Sequence, residues 1–395
     1  MVIVGGGIGG LAAATACARA GWRVDLLEQA ASFGEVGAGI QLGPNVVRIL
    51  QAQGLEAALR AVAAYPQRLE VRHALSAGLL GQLPMGQDMV ERYGAPYVCI
   101  ARPDMHQLLL TAAQTLDAVH LQVDARVVEV RAEAAEGGTQ QAPQVQVLTA
   151  ADQQLHADAL IGADGLWSMV RPLVVADGAP RVTGHLAFRA MVPQASLPAH
   201  LRSQVVTAWL GPEFHAVQYP VRRGEWLNVV CIVHGKVTGD ASAWDQSANA
   251  AELRARLHGA CTRLKDLVYA IDHWRLWALC DRPPMRSAHE HARGRIALLG
   301  DAAHPMRPYL AQGAGMAIED AGCLAECLAG GNADVPQALR RYAQSRWQRN
   351  ARVQARAIRN GEIFHLQGPM QLGRDLAMRV LGQRLLDLPW LYAGP

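Results

Sequence analysis

Charge is scarce in this chain. Only 18% of its 395 residues are Asp, Glu, Lys or Arg, and their formal balance is +3. A balance that small, with no basic block and no interleaved aromatics, speaks against nucleic acid as a partner. Apolar residues make up 51%, enough for a large core, so a solvated disordered polymer is excluded. No run of about 18 apolar residues occurs, which excludes a membrane-spanning helix. The apolar start lacks a basic leader and is soon broken by glycines, which argues against a signal peptide. The seven cysteines are odd in number and form no CxxC pair. That argues against a disulfide framework or a metal site and fits reduced thiols in the cytoplasm. Cys323 and Cys327 read as small core residues on one helix face. There is no internal repeat and no low-complexity stretch.

What is present reads first as an α/β opening. Met1 to Val4 is a short buried strand, followed by glycines, a small-residue helix from about Gly9 to Ala20, and a second strand from Arg23 to Leu27. This βαβ order implies a Rossmann-like, doubly wound domain on a parallel sheet. Strands are expected near 97–102, 119–123, 126–131, 145–149 and 159–162, with an exposed hairpin loop over Glu136 to Pro143. After about Asp177 the character changes. Short β-branched runs near 185–192, 204–210, 215–219 and 227–233 predict an antiparallel sheet, joined by 69–74 and 79–83. Parallel-type sequence resumes at Arg295 to Leu299. Helices are expected over Pro44 to Gln53, Gly313 to Leu328 and Ala338 to Arg359. The arginines of the last read as a solvated face. Asp387 to Pro395 reads as a packed tail. The division expected is 1–67, 97–177 and 281–395 for the parallel domain, and 68–96 and 178–280 for the antiparallel one.

Three segments carry chemistry. Gly5-Gly6-Gly7-Ile8-Gly9-Gly10 satisfies GxGxxG through Gly5, Gly7 and Gly10. Glycine permits the tight turn and the close approach of a pyrophosphate, and the helix start offers free N–H groups and a positive dipole end. Glu28, closing the second strand, suits a ribose diol. This signal does not choose between NAD and FAD. Gly300-Asp301-Ala302-Ala303-His304-Pro305 follows a strand, and Gln312-Gly313-Ala314-Gly315 opens a helix. An Asp there can bind a polyol, and a glycine-rich helix start can face a flavin or a phosphate. Gly162-Ala163-Asp164-Gly165, with Ser168 and Arg171 downstream, reads on its own as an Asp cap with a permissive glycine.

In this order and spacing the three motifs resemble the class A flavoprotein aromatic hydroxylases, the family of para-hydroxybenzoate hydroxylase. The resemblance covers nearly the whole chain. It implies an FAD domain on the parallel sheet and a substrate domain on the antiparallel one. It also implies that the glycine turn holds the ADP half of FAD, that Asp301 binds the ribityl chain, and that Asp164 and Gly165 support FAD. Arg102, in Ala101-Arg102-Pro103-Asp104-Met105, matches a family arginine beside the cofactor. Gly37 to Asn45, which includes Gly39 and Ile40, Gly165 to Ser168, and Trp209 to Pro220 are most similar to 3-hydroxybenzoate 6-hydroxylases, with salicylate hydroxylases next. His215 and Tyr219 lie where those enzymes carry a substrate-pocket base and a neighbouring tyrosine. Pro308 stands where a polar substrate contact is expected. Gln41 and Tyr309 stand where a 6-hydroxynicotinate 3-monooxygenase carries histidines.

The resemblance implies a monooxygenase that consumes NADH or NADPH and O₂ and hydroxylates a small phenolic acid through a flavin C4a-hydroperoxide. Such an oxidant needs an electron-rich ring. A phenol ionises near pH 10, about as tyrosine does, and a histidine can take its proton. Four apart on a strand, His215 and Tyr219 face the same way. Leu310-Ala311 and Ala314 to Met316 suit dry packing beside the flavin, and His304 and Pro305 shape their turn. Decarboxylating salicylate-type or hydroxypyridine-acid chemistry remains open, as does a homodimer. A dehydrogenase using NAD alone explains the first motif but not Asp301. A non-catalytic flavin-binding protein would lack coupled turnover, and no WxWxIP segment of a halogenase occurs.

Overall fold

The computed structural model describes residues 1–34, 37–132, 144–236, 246–247, 250–330 and 334–394. The expected hairpin loop from Glu136 to Pro143 lies outside them.

Six strands form the first sheet, in the order Ala292–Arg293, Ile296–Leu298, Leu160–Gly162, Val2–Val4, Val24–Leu27 and Val119–Gln122. All neighbours are parallel except the first pair. The central strands are apolar runs because both faces are covered. Ile3, Leu26, Ile161 and Ala297 point into a core with the helices Ile8–Arg19, Arg102–Gln114 and Gly313–Leu328. Val2, Val4, Leu27, Leu160 and Leu298 point the other way. They pack toward a three-stranded antiparallel sheet of Val127–Ala132, Val145–Thr149 and Gln154–Ala157.

An eight-stranded sheet follows the order Gln246–Ser247, Arg275–Asp281, Arg181–Pro193, Trp226–His234, Phe214–Val221, Val206–Gly211, Arg68–His73 and Leu79–Pro84. It is antiparallel apart from the pairing of Val206–Gly211 with Arg68–His73. Its strands alternate between faces. Phe188, Trp209, Val229 and Cys231 pack with Leu253, Leu264 and Leu267, from or beside the helices Ala250–Arg256 and Thr262–Tyr269. On the opposite face, Ala187, Ile232 and Trp277 pack with Tyr309. The expected mixture of a parallel and an antiparallel sheet is therefore borne out. The sequence reading missed Arg275–Asp281 and several short helices.

The reading of the arginine-rich helix as a solvated face holds for Arg340, Arg341, Arg352 and Arg359, which are exposed, and fails at Arg346. The helix runs from Val335–Phe364, and its Arg346 is buried. Arg346 Nε lies 2.7 Å from Asp320 Oδ1, and its Nη1 lies 2.9 Å from Glu319 Oε2. Arg349 pairs with Glu319 at 2.7 Å, and Asn45 Nδ2 donates to Glu319 at 2.7 Å. His304 Nε2 lies 2.5 Å from Asp320 Oδ2, so His304 serves this buried network. The arginines pin the helix Gly313–Leu328. Because removing one partner strands a buried charge, Arg346→Met costs about 3–5 kcal/mol, read as a lower midpoint in denaturant melting. A midpoint equal to the parent would rule out that role. Cys323 and Cys327 are partly buried against the core rather than fully inside it. Leu391 and Tyr392 of the tail are buried, as expected.

Candidate active site

The sheet order brings the three motifs together. Val2–Val4, Leu160–Gly162 and Ile296–Leu298 are parallel neighbours, so their ends release Gly5, Asp164 and Asp301 at the same edge. Gly5 has φ +104°, and a Cβ there would lie 2.4 Å from the Ala163 carbonyl oxygen. A Cβ on Gly10 would lie 1.9 Å from the Gly5 carbonyl oxygen. Only glycine fits either position. The helix Ile8–Arg19 starts after Gly7 with no side-chain cap, which leaves N–H groups for an anion. Beside it, Glu28 Oε2 accepts the Gly6 N–H at 2.7 Å and Oε1 accepts the Ala30 N–H at 2.8 Å.

Asp164 accepts bonds from Ser168 Oγ at 2.5 Å and from the Met169 and Val170 N–H groups at 2.8 and 3.2 Å. Burial pushes its carboxyl up despite these bonds. The residue ties its own turn, with Gly165 at φ +74°. Arg171 is buried and donates to the carbonyls of Ala302 and Ala303 at 2.7 and 2.6 Å. This second motif therefore fixes the loop that bears Asp301. Asp301 is exposed, and its Oδ1 lies 3.9 Å from where a Cβ on Gly313 would stand. The helix Gly313–Leu328 also starts without a side-chain cap, and a Cβ on Gly315 would meet Val46 at 2.9 Å. Ala314 is partly buried beside it. Two uncapped helix starts, an exposed carboxylate and glycine surfaces that a Cβ would fill suit a dinucleotide carrying two phosphates and a polyol.

Gly39 and Ile40 lie on Gly39–Leu42, paired with Val98–Ala101, after which Arg102 opens its helix. Gly39 sutures this hairpin to the large sheet. Its N–H donates to Asn228 Oδ1 at 2.6 Å, and its carbonyl accepts the Tyr219 hydroxyl at 2.6 Å. A Cβ there would strike the Tyr219 ring at 2.7 Å. Gln41 Oε1 accepts the Tyr97 hydroxyl at 3.0 Å. Tyr219 thus stands at the end of its strand beside Gly39, its hydroxyl held protonated because burial pushes its pKa far up.

His215 stands at the other end of the same strand face and is buried. Its ring centroid is 5.0 Å from Tyr309 and 5.3 Å from Phe364. Its Nδ1 lies 2.8 Å from His365 Nε2. Burial, and then the imidazoles of His365, His185 and His234, hold its pKa well below the usual histidine value. The resting ring is therefore neutral. Tyr309 is buried and shares a short hydrogen bond with His185 Nδ1. Pro308 is exposed, so the structure does not bring it into this buried group.

Between the two ends lies Arg189, which the sequence reading did not single out. Burial lowers its guanidinium to about 10, yet the side chain is only partly covered. Strand pairing sets Arg189 on the same face of the large sheet as His215 and Tyr219. Among the described residues it makes no hydrogen bond or ion pair, and its Nε is buried without a partner. Its guanidinium lies over the Trp277 ring, 4.7 Å from the centroid. A buried cation without an anion is costly, and an anionic ligand would relieve it.

A dinucleotide grip beside a sheet face that carries a buried histidine among aromatic rings and an unpaired guanidinium is the layout of a flavoprotein monooxygenase. The chain belongs to the FAD binding domain family, whose sequence pattern matches residues 1–357. It is 39% identical to a 3-hydroxybenzoate 6-hydroxylase from Polaromonas naphthalenivorans (strain CJ2), over 99% of this chain and 95% of the relative. It is 36% identical to a 3-amino-4-hydroxybenzoate 2-monooxygenase from Streptomyces platensis, over 99% and 95%. A solved salicylate hydroxylase substrate complex matches with a TM-score of 0.81 at 27% identity, over 99% of this chain and 94% of the other. The family resemblance carried by the motifs is borne out, and with it FAD as cofactor. No described helix is long and apolar enough to cross a membrane.

Proposed function

We propose that the protein uses NAD(P)H, O₂ and bound FAD to hydroxylate a small phenolic carboxylic acid of the hydroxybenzoate class. Arg189 carries the reading: a buried guanidinium without an anion, on the sheet face that also bears His215 and Tyr219. The two curated relatives, named for acting on hydroxybenzoates, support it. The oxygen-transfer chemistry is what FAD supplies when bound and reduced. The chain's own groups do the rest. Gly5, Gly7, Gly10 and Glu28 hold the ADP half, Asp301 and Gly313 to Gly315 the ribityl chain and ring, and Gly39, Ile40 and Arg102 its near edge. Asp164 and Gly165 act by fixing the loops. Arg189 anchors the carboxylate, His215 takes the phenolic proton, and Tyr219 orients the ring. Gln41 and Tyr309 close the cavity, and Pro308 lies at its rim. Trp277, Val230 and Ile232 keep it dry, which protects reduced oxygen species from water.

We further assign residues 1–67, 97–177 and 281–395 to the FAD-binding unit, and 68–96 and 178–280 to the substrate-binding unit. Cytoplasmic action fits the seven free cysteines. The test is NADH oxidation with product identification across 3-hydroxybenzoate, salicylate and hydroxypyridine acids. A dihydroxybenzoate that retains its carboxyl group supports the reading. Loss of the carboxyl group would move it to the salicylate type, and turnover yielding only H₂O₂ on every acid would refute it. Arg189→Met weakens acid binding about 10- to 100-fold, the worth of a hydrogen-bonded charge. This is read by flavin fluorescence titration, and unchanged affinity would remove Arg189 from the role.

A further inference from the structure

His215 heads a continuous chain of imidazoles. Its Nδ1 lies 2.8 Å from His365 Nε2, and His365 Nδ1 lies 2.9 Å from His234 Nε2. The chain runs outward. His215 and His365 are buried, and His234 is partly exposed. The three rings come from distant parts of the chain: the strands Phe214–Val221 and Trp226–His234, and the residue that ends the helix Val335–Phe364. His185 stacks on His234 with ring centroids 4.5 Å apart and holds the Tyr309 hydroxyl, so the outer ring is held flat against a neighbour.

We propose that His365 and His234 relay the phenolic proton from His215 to solvent, a reading that rests on His215 being the base. His365 uses both ring nitrogens. A neutral imidazole has one N–H and one lone pair, so if it donates to His234 it must accept from His215. His215 then carries its proton on Nδ1 and leaves Nε2 free, as a base requires. Ionisation breaks the phenolic O–H bond and forms the His215 Nε2–H bond. The His215 Nδ1 proton passes to His365 Nε2, the His365 Nδ1 proton passes to His234 Nε2, and His234 releases its Nδ1 proton to water. One proton leaves the cavity, and every ring stays neutral.

The surroundings favour this. The groups facing the cluster are Tyr309, Arg307, Arg374, Asp281 and the imidazole of His185. Burial, neighbouring imidazoles and these arginines lower His365 to about 3, and burial with His234 lowers His185 to about 4. A resting positive charge is thus disfavoured on either ring, so the cluster passes a proton without storing one. His185, His234 and His365 lie close enough to share a cation, but Arg307 and Arg374 beside them oppose a dication.

The test uses the FAD-loaded enzyme at low buffer concentration. Stopped-flow mixing with a phenolic acid follows phenolate absorbance and, through a pH indicator, proton release. His365→Phe removes both nitrogens and keeps a ring. It should slow proton release at least about tenfold, part of what base catalysis contributes, and added imidazole should restore the rate. His234→Phe cuts only the last link and should behave likewise, which covers the case in which the first variant misfolds. Proton release at the parent rate in both would overturn the relay, as would slowing that imidazole does not restore. His215→Gln separates the two ideas. If that variant ionises bound substrate normally, the base assignment fails first.

Discussion

His215→Gln slows hydroxylation by about 10²- to 10⁴-fold, the range of a positioned general base, and leaves flavin reduction near the parent rate. The asymmetry follows from geometry. His215 stands on the inward face of the large sheet, packed against Tyr309 and Phe364. The groups proposed to grip the nucleotide stand at the ends of the parallel strands. Hydride transfer to the flavin requires no phenolate, whereas attack on the ring does. Glutamine keeps much of the volume and can still hydrogen-bond His365, but it cannot accept a proton at neutral pH. The check is a pair of rapid-mixing experiments, anaerobic reduction by NADH and then reaction of the reduced, substrate-bound enzyme with O₂. Equal slowing in both halves would mean a general loss of structure and would retire His215 as the base.

The second large effect belongs to Gly10. Gly10→Val should give a protein that purifies colourless. A Cβ at this position would lie 1.9 Å from the Gly5 carbonyl oxygen, and the obstacle is backbone, which cannot swing aside. Overpacking costs about 1–3 kcal/mol even where side chains can adjust. Here the glycine turn itself must open, and the free N–H groups of the helix start turn away from the pyrophosphate. FAD affinity should fall at least about 100-fold, measured as the flavin-to-protein absorbance ratio and by reconstitution. Gly373→Ala is the control, since a Cβ there meets nothing within 4 Å. A yellow Gly10→Val protein with full occupancy would show that this turn does not hold the cofactor.

Much of the nucleotide site was legible because its chemistry is local. Gly5, Gly7 and Gly10 fall within six consecutive residues, and Asp301 stands shortly before Gly313 to Gly315, so each group can be read without knowing the fold. The inward face of the large sheet was harder to read. Arg189 sits between Phe188 and Ala190 in a strand that reads as sheet core, and nothing nearby says that its charge lacks a partner. His185, His234 and His365 each look like solitary histidines, and only strand pairing and the end of a long helix bring them together. Arg346 was misread for the opposite reason. A run of arginines usually marks a wet surface, and the acids that bury this one, Glu319 and Asp320, belong to a different helix. Asn228 gave no signal, because its role is to hold the backbone of Gly39.

The parallel sheet interleaves early and late sequence. Its central strand, Val2–Val4, is flanked by Leu160–Gly162, and that strand by Ile296–Leu298. The glycine turn after Val2–Val4 leaves the ribosome well before Asp301, which follows Ile296–Leu298. A nascent chain therefore exposes a half-built grip, with the Leu160–Gly162 edge unpaired until Ile296–Leu298 emerges. Closing the grip must wait until Ile296–Leu298 has docked on Leu160–Gly162, so scarce cofactor would be felt after that strand pairs rather than before it.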